Sequence, residues 1–351
     1  MTSDIMARRE GAIGHISLSR AKALNSLTLE MCEAMIAALL QWRGDASVAA
    51  VVIDHAPHTR GFCAGGDVAM VRSSALEDGG KAGRAFFMAE YRLNHLLFTY
   101  PRPVISFMDG VTMGGGVGIA LPASLRVATE NTLFAMPEGA IGLFPDVGAG
   151  WYLPRLPGQI GKFMALTGAR LDGAECLWAG IATHYLASED VEEAKALIAA
   201  EPAAAAEILT DLSSPSPQPR LAGNAEPIER LFGPDTLEAI IAALKADTSR
   251  WAGKELAAVT SKCPTSAKVA LRQFASAPAD FAGEMAREYA LAARMIMRHD
   301  FIDGVRAVLV DKDNRPKWKP GQAEAVSEEM LDAIFAPLPP GEEWTPLALA
   351  D

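Results

Sequence analysis

Apolar positions in the first part of the chain follow two periods, one typical of buried strands and one typical of amphipathic helices. Residues 13–18, IGHISL, predict a strand, and the almost continuous apolar run 48–53, VAAVVI, predicts a strand covered on both faces. Over 28–42, apolar side chains recur at i, i+3, i+4 and i+7, which predicts a helix. A second predicted helix, 84–99, leads into another buried strand at 103–108, PVISFM.

This alternation of strands and helices predicts an α/β fold with right-handed crossovers. The glycines 114–116 open a short apolar helix, and 126–129, RVAT, predict a further strand. Later in the chain helix follows helix, and the prolines and serines of 213–220 interrupt them. We therefore predict an α/β core over 1–200 and a helical C-terminal region over 201–351, which ends in an acidic, proline-containing tail.

Composition and charge narrow the possible partners and the compartment. The chain has 351 residues, of which 50% are hydrophobic, and a net charge of −11, which argues against nucleic acid or an anionic membrane as a partner. Its four cysteines form no CxxC pair, so neither a zinc site nor a disulfide framework is expected. No apolar run approaches the roughly 18 residues of a membrane span, and the N-terminus has no signal-like apolar segment. We expect a cytoplasmic protein without a metal.

Several common catalytic motifs are absent from the sequence. No serine lies in GxSxG, and no histidine begins HExxH, which excludes the usual serine and zinc hydrolases. The run GGGVG at 114–118 is not followed by GK[ST], and it does not complete GxGxxG. A hydrolase with this sequence therefore needs another kind of nucleophile or base.

Two glycine clusters each follow a predicted buried strand. They are RGFCAGGD at 60–67 and DGVTMGGGVG at 109–118. Such a turn lets a ligand approach the backbone closely and leaves N–H groups free at the start of a helix. One cluster alone is better explained by tight turns that pack together. Two clusters beside suitable acids favour an oxyanion hole, in which two N–H groups donate to one oxygen.

Three acidic residues lie in apolar surroundings. Glu138 and Asp146 belong to FAMPEGAIGLFPDVG at 134–148, and Glu90 projects from the apolar face of its predicted helix. A carboxylate in such a run is either paired structurally or held at a raised pKa for chemistry. Two of them beside a candidate oxyanion hole favour chemistry. For Glu90, a structural partner and a contact with substrate are equally compatible with the pattern.

These glycine turns and their spacing resemble the enoyl-CoA hydratase/isomerase (crotonase) superfamily. The resemblance implies a crotonase-like spiral of ββα repeats, with helical C-terminal elements that cover the site. It extends from about residue 13 to residue 320 and is most specific to the thioester-hydrolysing branch. The segments that carry it are GFCAGGD, MGGGVG, ATENTLFAMPEGAIGLFPDVGAGWYLPRLPG, LTGARLDGAECLWAGIATHYL and HDFIDGVRAVLVDKDNRPKWKP.

The resemblance assigns catalytic roles to matching positions. Gly66 and Gly115 would supply the oxyanion-hole N–H groups, and Glu138 matches the glutamate shared by hydratases and hydrolases. Asp146 matches the hydrolase aspartate, where hydratases have glycine. Gly118 stands where a hydratase has its other catalytic glutamate, which is the departure that favours hydrolysis.

The resemblance also implies a set of substrate-binding residues. Glu90 matches an acidic residue that contacts substrate in the hydrolases. The loop SRAKALNSL is similar to the family's RPKALN segment, with Ala21 in place of the usual proline, so Arg20, Lys22 and Ala23 are expected at the nucleotide end of CoA. The residues that flank the glycine turns complete the set: Gly65, Asp67 and Gly114.

The expected activity is hydrolysis of a short-chain 3-hydroxyacyl-CoA thioester, in the first place 3-hydroxyisobutyryl-CoA in valine degradation. CoA is then part of the substrate, and no separate cofactor is expected. Glu138 either attacks the carbonyl directly, which the resemblance favours, or activates water. A hydratase or isomerase is the alternative, and a non-catalytic CoA-binding protein is a more distant one. The resemblance also implies a homo-oligomer, a trimer or a dimer of trimers.

Overall fold

The computed structural model describes residues 2–57, 59–276 and 278–348. Within these ranges the chain forms nine strands: β1 Ile5–Glu10, β2 Ile13–Leu18, β3 Ala50–His55, β4 Val104–Met108, β5 Val111–Met113, β6 Leu125–Ala128, β7 Leu133–Ala135, β8 Leu171–Asp172 and β9 His184–Tyr185.

The described ranges contain sixteen α-helices, nine of which follow residue 190. They are α1 Leu29–Arg43, α2 Val68–Glu77, α3 Lys81–Phe98, α4 Gly115–Ala120, α5 Ala149–Tyr152, α6 Ile160–Thr167, α7 Gly173–Trp178, α8 Val191–Ala200, α9 Ala205–Asp211, α10 Ala225–Leu231, α11 Leu237–Ala246, α12 Arg250–Ser261, α13 Pro264–Ala275, α14 Phe281–Met295, α15 His299–Val305 and α16 Glu328–Phe335. A π-helical turn, Arg306–Val310, continues α15.

The main sheet has the order β1-β2-β3-β4-β6-β9. Strands β2, β3, β4, β6 and β9 pair in parallel, as expected for strands joined by crossover segments, and only β1 pairs antiparallel, with β2. A second sheet has the order β5-β7-β8 and lies next to the glycine turns. The predicted α/β class with a helical C-terminal region is confirmed. Strand β1 was not predicted, because most side chains of IMARRE are exposed and show no apolar run.

Apolar residues cover both faces of the main sheet. One face packs on α8 and α9 through residues such as Ile13, Val52 and Val127. The other face belongs to a larger buried cluster that runs from Ile5 to Trp344 and so includes residues of both predicted regions. Helix α3 packs between α1 and α14, which brings the C-terminal region against the core. The boundary at residue 200 stays a prediction.

Candidate active site

The first glycine turn is fixed by backbone hydrogen bonds to the segment that precedes α1. The Leu27 N–H donates to the Gly65 carbonyl at 2.7 Å, and the Asp67 N–H donates to the Leu27 carbonyl at 2.9 Å. Gly65 has φ of +119°, a backbone conformation that residues other than glycine rarely adopt. The turn therefore presents the Gly66 backbone at the start of α2 in a fixed position.

The second glycine turn lies directly against the first. A Cβ atom on Gly115 would be 3.2 Å from the Gly66 nitrogen, and one on Gly65 would be 3.8 Å from the Gly115 nitrogen. Gly114, with φ of +49°, turns the chain from β5 into α4. The structure thus brings the amide groups of Gly66 and Gly115 side by side, as an oxyanion hole requires.

Three buried carboxylates line the same cavity as this pair of amides. Glu90, on α3, is 2% exposed, Glu138 is 5% exposed, and Asp146 is 4% exposed. A Cβ atom on Gly115 would collide with Glu90 Oε1, and one on Gly114 would be 3.2 Å from Glu138 Oε1. Glycine is therefore required here for close approach of the backbone to the acids.

The acids and glycine turns line one cavity of about 180 Å³. Its other walls are largely apolar, which restricts water and strengthens electrostatic interactions inside. These walls come from the α2–α3 region, from the segment around Glu138, and from the π-helical turn of the C-terminal region: Ala64, Val68, Phe86, Phe87, Pro137, Ala140, Ile141, Leu143, Val308 and Leu309.

The pKa values of all three carboxyl groups are shifted upward, chiefly by burial. Burial raises the pKa of Glu90 well above its usual value, and the nearby Asp146 and Glu138 raise it further. Burial and Asp146 likewise raise the pKa of Glu138. The pKa of Asp146 rises to about 6 because of burial, against the opposing effect of its hydrogen bond from Tyr91. A carboxyl group with a pKa of about 6, such as that of Asp146, can exchange protons near neutral pH.

Two of the carboxylates carry oxygens without a partner. Among the described residues, Glu90 Oε1 and Glu138 Oε2 accept no hydrogen bond. A buried acceptor without a donor needs an explanation, and here both oxygens belong to residues that line the cavity.

Tyr91 was not anticipated from the sequence. Its hydroxyl donates to Asp146 Oδ2 at 2.6 Å, and its side chain is fully buried. Tyr91 and Asp146 are far apart in the chain, and the sequence pattern around Glu90, next to Tyr91, does not indicate that Tyr91 contacts Asp146. Val308 and Leu309 were also missed, because apolar residues without neighbouring chemistry look like ordinary core positions.

Four of the predicted substrate-binding residues lie outside the cavity lining: Arg20, Lys22, Ala23 and Asp67. Arg20 Nη2 pairs with Asp67 Oδ2 at 3.0 Å, and Asp67 also caps α2 by accepting from the Met70 N–H. Lys22 is exposed. The loop is nevertheless joined to the first glycine turn, since the Ala64 N–H donates to the Leu24 carbonyl at 3.0 Å.

Gly118 is surrounded too closely for a side chain. A Cβ atom there would be 2.6 Å from Val147 Cβ and 2.8 Å from Asn94 Nδ2. Asn94 Nδ2 also donates to the Gly118 carbonyl at 2.9 Å, which holds the two segments together. A hydratase has its second catalytic glutamate at this position, and here the space for that side chain is filled by Val147 and Asn94.

Neither metal binding nor membrane insertion has a visible basis in the described residues. Over 2–57, 59–276 and 278–348, no three His, Cys, Asp or Glu side chains cluster in a way that suits a metal ion. No helix in these ranges has the length and apolar character needed to cross a bilayer. The four cysteines are unpaired and buried. The metal-free character stays a prediction.

The family model described as enoyl-CoA hydratase/isomerase matches residues 13–335. The chain belongs to this family, and the expected crotonase-like fold is confirmed. It is 41% identical to the mitochondrial 3-hydroxyisobutyryl-CoA hydrolase of Gallus gallus, over 96% of this chain and 89% of that protein. It is 40% identical to the mitochondrial 3-hydroxyisobutyryl-CoA hydrolase of Homo sapiens, over 95% of this chain and 89% of that protein.

Two solved structures match nearly the whole chain. One is a carnitinyl-CoA dehydratase from Mycobacterium thermoresistibile, 37% identical with a TM-score of 0.91, which covers 98% of this chain and 99% of that one. The other is an enoyl-CoA hydratase from Rhodobacter sphaeroides 2.4.1, 37% identical with a TM-score of 0.89, over 98% of this chain and 100% of that one. Relatives with very similar folds thus carry names for different reactions, so the choice between reactions depends on the site.

Proposed function

We propose that this protein hydrolyses 3-hydroxyisobutyryl-CoA to 3-hydroxyisobutyrate and CoA, a step of valine degradation. The observation that carries the proposal is the arrangement of three buried carboxylates around the adjacent amides of Gly66 and Gly115. The relatives named as 3-hydroxyisobutyryl-CoA hydrolases support the choice of substrate.

In this mechanism the thioester carbonyl oxygen accepts hydrogen bonds from the Gly66 and Gly115 N–H groups, which stabilise the negative charge of the tetrahedral intermediate. The Glu138 carboxylate attacks the carbonyl carbon, and the C–S bond breaks to release the CoA thiolate. Water then hydrolyses the resulting anhydride, which frees the hydroxy acid and restores Glu138. The alternative is that Glu138 takes a proton from water, which attacks the carbonyl itself.

In this mechanism Asp146 and Glu90 contact the substrate, besides any contribution they make to the stability of the fold. Asp146, oriented by the Tyr91 hydroxyl, is in a position to bind the β-hydroxyl of a 3-hydroxyacyl group or the attacking water. Glu90 Oε1 lies beside the Gly115 backbone, where it contacts the acyl portion. Gly65 and Gly114 provide the close backbone approach that this contact requires.

The loop with Arg20, Lys22 and Ala23 is the proposed site for the nucleotide end of CoA. The exposed Lys22 and the backbone connection of the loop to the first glycine turn support this role, while Asp67 and Asp4 hold Arg20 in place. The partner is then a small acyl-CoA molecule, with neither nucleic acid nor a membrane involved. CoA is a substrate here, and no other cofactor takes part.

A hydratase is the second candidate, because two similar solved structures are named as a dehydratase and a hydratase. Hydration of a double bond is assisted by a second acid at the position of Gly118, where Val147 and Asn94 leave no room for one. A non-catalytic CoA-binding protein would have no need of the unpartnered Glu138 Oε2. Hydrolysis is therefore the better supported reaction.

A cytoplasmic location and a homo-oligomer, a trimer or a dimer of trimers, are also proposed. The unpaired cysteines support a reducing compartment. Vertebrate relatives carry the word mitochondrial in their names, which makes the mitochondrion the competing location. Subcellular fractionation distinguishes the two, and sedimentation analysis gives the number of subunits.

The decisive experiment compares two reactions of the purified protein. Free thiol released from 3-hydroxyisobutyryl-CoA is measured with a thiol-reactive dye, and hydration of crotonyl-CoA is measured by loss of the conjugated double bond. We expect rapid thiol release and little hydration. Rapid hydration without thiol release would reject the hydrolase proposal in favour of the hydratase.

A further inference from the structure

Glu288 is a fully buried carboxylate of α14 that bonds the loop carrying Asp146. Its Oε2 accepts from the Gly148 N–H at 2.7 Å, and its Oε1 accepts from the Gly150 N–H at 3.1 Å. Glu288 is not part of the cavity wall, so its carboxylate does not reach the substrate. Helix α14 of the C-terminal region thus holds the segment directly after Asp146 from the side that faces away from the cavity.

This segment has a backbone conformation that requires support. Val147 has φ of +54° and Gly148 has φ of +92°. A β-branched residue with positive φ is a rare conformation, which persists only where the surrounding structure fixes it. The hydrogen bonds to Glu288 begin at the next residue, and Val147 itself is buried against Gly118.

The Glu288 carboxylate is itself held by neighbouring side chains. Gln273 Nε2, on α13, donates to Glu288 Oε1 at 2.8 Å and to Glu284 Oε1 at 3.1 Å. Arg287 Nη2 donates to both oxygens of Glu284, at 2.8 and 2.6 Å. A Cβ atom on Gly150 would collide with Glu284 Oε1 and Gln273 Nε2, so this network packs directly on the loop.

A carboxylate at this position is unfavourable by itself. Burial raises the pKa of Glu288, and so do the nearby Glu284 and Asp146, while the two backbone N–H groups oppose the shift. Buried charged groups are stabilising only when their hydrogen bonds are well formed, and apolar replacements are often more stable. The stability of the fold therefore does not by itself explain why a buried glutamate occupies position 288.

We infer that Glu288 is a positioning residue for the reaction, which acts through the backbone of Gly148 and Gly150 to hold Asp146 against Tyr91 and the substrate. The inference rests on the proposed thioester hydrolysis. It assigns to the helical C-terminal region a direct influence on the catalytic geometry, besides the part that Val308 and Leu309 have in the cavity wall.

The side-chain chemistry gives a graded series of variants. Glu288→Gln keeps the size but offers only one acceptor oxygen, and its NH₂ group would face a backbone N–H donor. Glu288→Asp keeps the charge but is one methylene shorter, so it cannot reach both amides. Glu255→Gln is the matched control. Glu255 is a buried glutamate of the C-terminal region, 4% exposed, and it forms its ion pair with Lys254 on α12 instead of contacting the Asp146 loop.

The test measures steady-state thiol release and amide hydrogen exchange of the same proteins. We expect E288Q to lower kcat about 10- to 100-fold with little change in KM, because a displaced Asp146 weakens the reacting geometry more than binding. Amides of the peptide over 146–150 should exchange faster in E288Q. E255Q should retain wild-type kinetics and exchange at 146–150.

A combination with Asp146→Asn separates positioning from a general structural effect. If Glu288 acts through Asp146, E288Q should cause no further loss in the D146N background. An equal loss in both backgrounds, or a wild-type rate in E288Q, would overturn the inference. If E288Q does not fold, E288D takes its place, and full activity of E288D would overturn the inference equally. Absence of thiol release from the wild-type protein would reject the proposed function alone, because exchange at 146–150 still reports whether Glu288 holds the loop.

Discussion

At the scale of single residues, the site is dominated by three carboxyl groups that compete for charge. Glu90, Glu138 and Asp146 share one largely apolar cavity; burial raises the pKa of all three, and nearby carboxylates raise those of Glu90 and Glu138 further. Asp146, with a pKa of about 6 and a donor in Tyr91, is the group of the three that ionises most readily. Glu138 must also lose its proton before it can act as a nucleophile or base.

The rate of thiol release should therefore rise with pH from 5 to 8. The active form is the ionised one, and the pKa of Asp146 near 6 and the raised pKa of Glu138 place its formation in and above this range. The measurement is kcat/KM as a function of pH, with buffers of constant ionic strength. A flat profile over this range would contradict an essential carboxylate with a raised pKa.

Removal of the charge at either acid should nearly abolish the reaction. Glu138→Gln and Asp146→Asn should each lower thiol release by about 10²- to 10⁴-fold, the range typical of a lost acid or base. Circular dichroism should show an intact fold in both variants. Full activity of one variant would remove that residue from the mechanism.

Tyr91→Phe tests the hydrogen bond that orients Asp146. The hydroxyl stabilises the ionised carboxylate, so its loss should raise the pKa of Asp146 and move the rising part of the pH profile to higher pH. The rate at pH 6 should fall more than the rate at pH 8. An unchanged midpoint would show that Asp146 does not control the profile.

The sequence revealed the acids themselves because each one interrupts an apolar pattern. Their partners were not predictable in the same way. Tyr91 and Glu288 contact the Asp146 loop only after the chain has folded, and nothing in the pattern of their own helices shows which segment they contact. Local patterns indicate which residues are unusual, whereas the three-dimensional arrangement decides what they contact.

At the scale of secondary-structure elements, the close contact between α4 and the Asp146 loop is the most sensitive feature. Gly118→Ala would place a methyl group 2.6 Å from Val147 Cβ, so either α4 or the loop must move. Overpacking of this kind typically costs about 1–3 kcal/mol of stability. We expect a lower melting temperature together with reduced thiol release, and an unaltered melting temperature would show that the loop adapts freely.

The elements that could be predicted are those whose burial is regular. The run 13–18 coincides with β2, and the helix predicted over 28–42 is α1, Leu29–Arg43. The strand expected at 48–53 is observed at Ala50–His55, because pairing with β2 begins only at Ala50. Short strands such as β5 and β7 have too few residues for a period to be recognised.

At the scale of the whole molecule, the acids of the site should reduce stability. The raised pKa of Asp146 means that the folded protein holds a proton which the unfolded chain releases between about pH 4 and 6. This contribution to the free energy of unfolding therefore falls as pH rises through that window. Asp146→Asn should increase the free energy of unfolding by about 1–3 kcal/mol at pH 8 and by much less at pH 4.

Chemical denaturation at the two pH values measures this difference. The same substitution that lowers the reaction rate should raise the denaturation midpoint, as is common where a site holds unfavourable charges. A destabilised D146N protein at pH 8 would show instead that the Tyr91–Asp146 hydrogen bond outweighs the cost of burying the charge.

The overall class was predictable from the order of strands and helices, and the resemblance of the glycine turns supplied the fold. The place of the C-terminal helices relative to the cavity was not evident from periodicity, because an amphipathic pattern shows that a helix has a buried face without showing what it covers. Helix α14 lies on α3, and the π-helical turn closes the cavity, through contacts between residues far apart in the chain.

The closure of the cavity by Val308 and Leu309 has a consequence for the making of the protein. A ribosome produces the glycine turns and all three acids long before it reaches these two residues, and domains generally begin to fold during synthesis. A chain that ends before Val308 lacks one wall of this cavity. We therefore expect a product truncated before Val308 to release little thiol, although it contains every glycine and acid of the site.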